Sequence, residues 1–196
     1  NVFPTYEIYF NQFEQYLSGM DANAKIFYNN EDTEVVRAVT TAGKHLPAVP
    51  YNTPPFHYQD GFPVMDTAAG PVKVSVFGRH NLLNMQAAID VCMELGVSEA
   101  DCYRAIASFT GAARRLEKVK EEPGLLIYRD FAHAPSKLKA TLSAVREAYA
   151  GHHLIACFEL HTFSSLNEKF LSEYAHSIDA SDEAIVFFSH HALSLK

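Results

Sequence analysis

Apolar residues at Tyr6, Tyr9, Phe10, Phe13, Tyr16 and Leu17 recur three or four apart and predict a helix that opens after Pro4-Thr5 and stops at Gly19. Lys25 to Asn29 predicts a short buried strand, Asp32 to Ala42 a helix capped by Asp32, and His45 to Tyr51 a second strand. Strand and helix alternate here as in a parallel α/β sheet. Between Asn52 and Gly70 the rhythm changes. Pro54, Pro55, Gly61, Pro63 and Gly70 punctuate short segments, and Val72, Val74 and Val76 then alternate with Lys73 and Ser75, which predicts a small antiparallel insert. Leu82, Met85, Ile89 and Cys92 mark a helix from Asn81 to Leu95 closed by Gly96. Cys102, Ile106 and Phe109 share a face of the next helix, which starts at Ser98. Thr110-Gly111 breaks that pattern and places a domain boundary between residues 1–110 and 111–196.

The second part is more regular. Leu125 to Asp130 predicts a strand, Pro135 to Tyr149 a helix with Leu138, Leu142, Val145 and Tyr149 in register, and His153 to Phe158 another strand. Leu166, Phe170, Tyr174 and Ile178 predict a further helix, and Ala184 to Phe188 an apolar strand. This order is that of one Rossmann-like mononucleotide unit, in which ligands sit at the carboxyl ends of the strands. The expected class is therefore α/β.

Composition narrows the functions. The chain has 196 residues, 48% of them hydrophobic and 20% charged, enough to bury a core. Its net charge of -7 opposes broad capture of nucleic acid or of anionic membrane. No run of apolar residues is long enough to span a bilayer, and the chain opens on Asn1-Val2-Phe3-Pro4, so a cytoplasmic protein is expected. A helix so near the first residue, without an initiator Met, points to a piece of a longer protein. Cys92, Cys102 and Cys157 form no CxxC pair and read as buried small hydrophobes. The ten histidines lie on separate elements, or as the adjacent pairs His152-His153 and His190-His191, and there is no HExxH, so no metal site is expected. No phosphate-binding loop is present: Gly43-Lys44 runs into His45, and Ala38 stands where the first glycine belongs.

Three clusters carry candidate chemistry. In Gly78-Arg79-His80-Asn81, with Asn84 a helical turn further, amide side chains at a helix start could read an adenine edge, or Asn81 could only cap the helix. Around Gly111, Arg114, Arg115 and Glu117 an arginine could reach a phosphate, or form an ordinary surface ion pair. In Asp130-Phe131-Ala132-His133-Ala134-Pro135 a carboxylate at the end of a strand could accept from ribose hydroxyls, or stabilise the turn into the Pro135 helix.

In order and spacing these clusters resemble the Mur ligase family: G-x-H-N-x-x-N at Gly78 to Asn84, G-x-x-R-R-x-E at Gly111 to Glu117, and D-[FY]-A-H-x-P at Asp130 to Pro135. The double Arg and Asp130-Phe131-Ala132-His133 look most like the muramate-binding branch, which joins L-alanine, or in recycling the intact tripeptide L-alanyl-γ-D-glutamyl-meso-diaminopimelate, to UDP-N-acetylmuramate. Phe109 to Glu117 points to the recycling activity. The resemblance implies the end of a central ATPase domain followed by part of a Rossmann-like C-terminal domain, with the phosphate loop and most Mg2+ ligands upstream. It implies that Asn81 and Asn84 contact adenine, that Asp130 holds ribose, that Arg115 reaches the ATP phosphates, and that His80 and His133 line the same cleft. Arg115 and His80 are then the catalytic candidates. The muramate carboxylate would attack ATP, and an amine would capture the acyl phosphate. ATP, Mg2+, UDP-N-acetylmuramate and an amino acid or peptide are the implied ligands, with no nucleic acid and no membrane. A folylpolyglutamate- or cyanophycin-type ligase and a non-catalytic nucleotide-binding or interaction module are the alternatives. Two departures stand out: Ala134 stands where many alanine-adding members have a second His, and Ser165 where they have Arg, the second of which leaves the amine open.

Overall fold

The computed structural model describes residues 3–162 and 165–189, which fall into two compact units: Asn1–Pro54 with Leu82–Ala105, and Pro55–Asn81 with Ile106–Lys196. His190 and His191, singled out above, lie outside the described residues.

In the first unit α1 (Tyr6–Ser18) begins where the Thr5 hydroxyl accepts from the Ile8 N–H, and ends at Gly19. The Asp32 carboxylate accepts from the Glu34 and Val35 N–H groups and so starts α2 (Thr33–Thr41). β1 (Ile26–Asn29) and β2 (Ala48–Tyr51) pair in parallel, as the strand-helix alternation predicts. Phe10 and Leu17 of α1 bury themselves with Ala38, Val39 and Leu46, while Tyr6, Tyr9, Phe13 and Tyr16 stay exposed, so only part of the predicted apolar face is covered. The main body of α3 (Arg79–Glu94) and most of α4 (Glu99–Ser108) complete this unit, with Gly96 between them at a φ of 88° that favours glycine.

The second unit opens with the predicted insert, an antiparallel meander of β3 (Phe56–Gln59), β4 (Phe62–Thr67) and β5 (Gly70–Lys73). Asp60 and Gly61, both at positive φ, make its first two-residue turn. β6 (Glu117–Glu122) and β7 (Leu125–Arg129) form an antiparallel hairpin. β6 is missing from the sequence reading because Glu117-Lys118-Val119-Lys120-Glu121-Glu122 has no apolar alternation. Charges along the strand suit its single-sided pairing. The pairing also corrects the expected strand run, since β7 bonds to β6 and not to β8 (Ile155–Leu160), which pairs in parallel with β9 (Glu183–Phe188).

α5 (Pro135–Ala148) packs Leu138 and Leu142 on Ala156 and Phe158 of β8. The helix predicted over Leu166 to Ile178 is reduced to α6 (Glu168–Leu171) and a 3-10 turn at Ser172–Tyr174. The hydroxyls of Ser172 and Ser177 donate to the carbonyls of Lys169 and Tyr174, and His176 takes a φ of 62°, so the segment turns instead of continuing as a helix. Tyr174 and Ile178 still pack on the Phe158 cluster, which is why their spacing looked helical. Of the three cysteines Cys102 is buried, Cys92 is half-buried, and Cys157, contrary to expectation, is exposed on β8. No described helix is long and apolar enough to cross a membrane.

Candidate functional site

The sharp passage from Phe77 into α3 is built on Gly78. Its φ is 99°, and a Cβ there would lie 2.8 Å from the Ala144 Cβ of α5 and 2.9 Å from the His80 ring. Only glycine combines that backbone with so close an approach. Asn81, one of the two adenine candidates, donates its backbone N–H to the Gly78 carbonyl at 2.9 Å and its side-chain NH2 to the Phe77 carbonyl at 2.8 Å. That bond fixes which way the amide faces and leaves Oδ1 for a ligand donor. Asn81 thus lies inside the first turn of α3 and does not act as the helix cap. Asn84 is exposed one turn further along the same helix, in the first unit.

His80 is half-buried. Burial holds its imidazole below the ordinary histidine value, the Arg115 charge acts in the same direction, and the Asp130 carboxylate opposes both. It is therefore neutral at neutral pH and can accept a hydrogen bond on one ring nitrogen while donating from the other.

Arg115 sits in the connection between α4 and β6, whose conformation is unusual. Gly111, Arg114 and Leu116 all take positive φ, at 103°, 59° and 45°. Such backbone persists in non-glycine residues where neighbours hold it. Here three successive amides are tied: Arg114 N–H donates to Glu117 Oε2 at 2.8 Å, Arg115 N–H to the Ala112 carbonyl at 3.1 Å, and Leu116 N–H to Asp130 Oδ2 at 2.7 Å. Glu117 Oε2 also receives Arg129 at 3.0 Å, and these two donors hold its carboxyl below the usual range. The Arg115 guanidinium has no ion pair among the described residues and lies 5.9 Å from the centre of the Phe131 ring. On the insert side the same connection borders a cavity of about 430 Å³, lined by Phe62, Phe77, Tyr128, Arg115 and Lys118 among others.

Asp130 follows β7 directly. Besides Leu116 it takes the Thr141 hydroxyl of α5 on Oδ1 at 3.2 Å, and each carboxylate oxygen keeps a further acceptor site. Phe131 is exposed, with the rings of His133 and His161 centred 5.0 Å and 6.3 Å away. The Tyr174 hydroxyl donates to the His133 carbonyl at 2.6 Å and pins the turn into α5.

The second unit thus groups His80, Asn81, Arg115, Asp130 and His133 around the start of α3 and the end of β7. Thr141 escaped the sequence reading, although a polar residue beside Leu138 and Leu142 on the inward face of α5 is a usable signal. The ring of Phe131 was quoted only as part of a motif. Among the described residues Asn81 Oδ1 has no hydrogen-bond partner, Arg115 has no ion pair and Asp130 keeps further acceptor sites, so the group offers both acceptors and one cationic donor. Among the described residues no group of three His, Cys, Asp or Glu side chains is arranged to hold Mg2+.

Residues 114–195 match the family model described as Mur ligase, glutamate ligase domain. A UDP-N-acetylmuramate–L-alanine ligase of Desulfitobacterium hafniense is 36% identical over 120 residues, 61% of this chain and 26% of that protein. One of Caldicellulosiruptor bescii is 34% identical over 169 residues, 85% of this chain and 36% of that protein. The chain therefore spans between a quarter and two fifths of the length of these curated relatives. Among solved structures, the UDP-N-acetylmuramate–alanine ligase of Thermotoga maritima superposes with a TM-score of 0.70 at 18% identity, over 98% of this chain and 43% of that one, which shows the shared fold. With the ordered motifs at Gly78, Gly111 and Asp130, these matches place the chain in the Mur ligase family.

Proposed function

We propose that the chain is the nucleotide-closing part of an ATP-dependent ligase that activates the carboxylate of UDP-N-acetylmuramate as an acyl phosphate and joins it to an amine. The observation that carries this reading is the Arg115 guanidinium, which makes no ion pair among the described residues and is presented by a tied loop next to His80 and Asp130. A cation not committed to an ion pair is ready to neutralise charge on a transferring phosphoryl group, and such transfer depends mostly on positioning and charge neutralisation.

In this reading Asn81 and Asn84, three apart on α3, face the adenine edge, with Asn81 offering Oδ1. Asp130 accepts from the ribose hydroxyls through its remaining acceptor sites, and Arg115 reaches the phosphates. His80 and His133 line the nucleotide side, His80 as a neutral imidazole. Mg2+ would supply charge neutralisation at the phosphates, with its ligands expected mainly upstream of this chain. The domain boundary at Thr110-Gly111 then falls at the start of the tied loop, and the substrates put the reaction in the cytoplasm.

The names of the curated relatives support L-alanine as the amine. Phe109 to Glu117, which resemble the recycling branch, support the tripeptide as a second reading, and Ser165, where many alanine-adding ligases carry Arg, leaves the amine open.

The test is ligation by the whole protein that carries this chain, with UDP-N-acetylmuramate, ATP and either L-alanine or the tripeptide. Ligation of one amine with matching ADP release is expected. No ligation of either would leave the non-catalytic module or a ligase of another substrate class. Arg115→Ala should lower kcat by about 100-fold with a smaller change in the KM for ATP, because its contact is strongest in the transition state. Near-normal turnover in Arg115→Ala, with loss in Arg114→Ala, would move the role to Arg114. Asp130→Asn should narrow the preference for ATP over 2′-deoxy-ATP, and an unchanged preference would remove Asp130 from ribose recognition.

A further inference from the structure

The β6–β7 ladder ends at the Glu117–Arg129 pair, so Leu116 and Asp130 face each other one residue beyond it. The Asp130 side chain closes that end: Oδ2 takes the Leu116 N–H at 2.7 Å, and Oδ1 is held by the Thr141 hydroxyl at 3.2 Å. Leu116 is buried with Phe77 and Ala144. Its φ of 45° and that of Arg114 at 59° flank Arg115, so the direction of the Arg115 side chain depends on both residues staying left-handed. For residues with a Cβ that conformation is unfavourable, and it relaxes once its tethers are lost. Of the two side-chain tethers, Glu117 lies next to the loop in the chain, whereas Asp130, just past β7, is itself held by Thr141 of α5.

We propose that Thr141 and Asp130 act together as positioning residues for Arg115. Thr141 orients the carboxylate, the carboxylate holds the Leu116 amide, and the tied backbone aims the guanidinium. A single carboxylate thereby links the nucleotide side of the site to the loop that carries the phosphate-reaching cation. The catalytic consequence rests on the function proposed above; the tether itself does not.

Limited trypsin digestion with mass mapping tests the tether without any ligand, because Arg114 and Arg115 are themselves cleavage sites. In the full chain, Asp130→Ala and Thr141→Val should speed cleavage after Arg114 and Arg115 by about tenfold or more, the scale of one lost charge-assisted hydrogen bond. Thr141→Ser keeps the hydroxyl and should restore the wild-type rate. Cleavage after Arg146, which is held by three hydrogen bonds at the end of α5, should not change. Unchanged loop cleavage in both variants overturns the proposal. So does a parallel rise after Arg146, since the pair would then hold the unit as a whole. In the ligase assay Thr141→Val should lower kcat more than it raises the KM for ATP, and should add little to Arg115→Ala. A pure KM effect, additive with Arg115→Ala, also overturns it. If the wild-type protein ligates nothing, the proposed function fails while the digestion result still decides the tether.

Discussion

At the scale of single residues, the chemistry-bearing positions sit where the backbone has little freedom. Gly78 is the clearest case, and Gly78→Ala should cost about 2 to 4 kcal/mol, from left-handed backbone plus contact with Ala144 and His80. Chemical denaturation of the variant checks this, and a loss within error would mean the turn can shift to make room. His80 gives a pH signature. Its imidazole is depressed in the folded state, so its contribution is complete above the ordinary histidine value near ~6.5 and is lost as pH falls through the lower folded value. Stability measured against pH should show an acid loss starting below that point, and His80→Gln should flatten it. The three clusters were legible in sequence because each has a fixed order of rigid and polar residues. Thr141 was not, because its importance lies in what it touches across the fold. The tied state of Asp130 was equally hidden, since a sequence names an acceptor without its donors.

At the scale of elements, periodicity served well wherever one face packs on a core. α2, α3 and α5 follow their apolar spacing, and caps at Thr5 and Asp32 begin helices as their residue types predict. It failed at β6, a charged strand held by pairing alone, and at the α6 segment, where Tyr174 and Ile178 meet the core from a turn. The joint between α5 and the loop before β9 shows how such irregular segments are fixed. Arg146 donates to the carbonyls of Ala180 and His152 and to Asp182 Oδ2, the last at 2.6 Å. Asp182 also takes the Leu154 N–H, and Arg146 first, then that amide, keep its carboxyl below the usual range. Arg146→Met should therefore lower the melting temperature by several degrees. Because the Asp182 value is depressed, the difference from wild type is present at neutral pH and shrinks as pH falls through the folded value. An equal difference across that range would argue against the ion pair as its source.

For the whole molecule, the chain forms two compact units built from interleaved stretches. Asn81, Arg115 and Asp130 all lie in the second, while Asn84, further along the same helix, is assigned to the first. This chain by itself should not turn over ATP, because Gly43-Lys44-His45 provides neither the glycine loop nor the hydroxyl that cradle the β- and γ-phosphates. ADP release by the purified chain, persisting after repeated purification and lost in Arg115→Ala, would contradict that.

The cluster beneath the insert supplies an optical probe. The chain contains no tryptophan, so its longest-wavelength ultraviolet absorbance belongs to its ten tyrosines. Tyr128 and Tyr149 share a hydroxyl contact of 2.5 Å beside Phe77. Burial pushes the Tyr58 phenol up to about 12 and raises Tyr128 as well. Exposed tyrosines ionise near ~10, so between that value and about 12 the folded unit should keep these phenols neutral while the unfolded chain ionises them. Stability from this cluster is complete below the lower value and drains away as pH rises through the upper one. Phenolate absorbance should therefore rise in two steps, the second coinciding with loss of circular dichroism, so that alkaline titration measures the integrity of this unit without any added label.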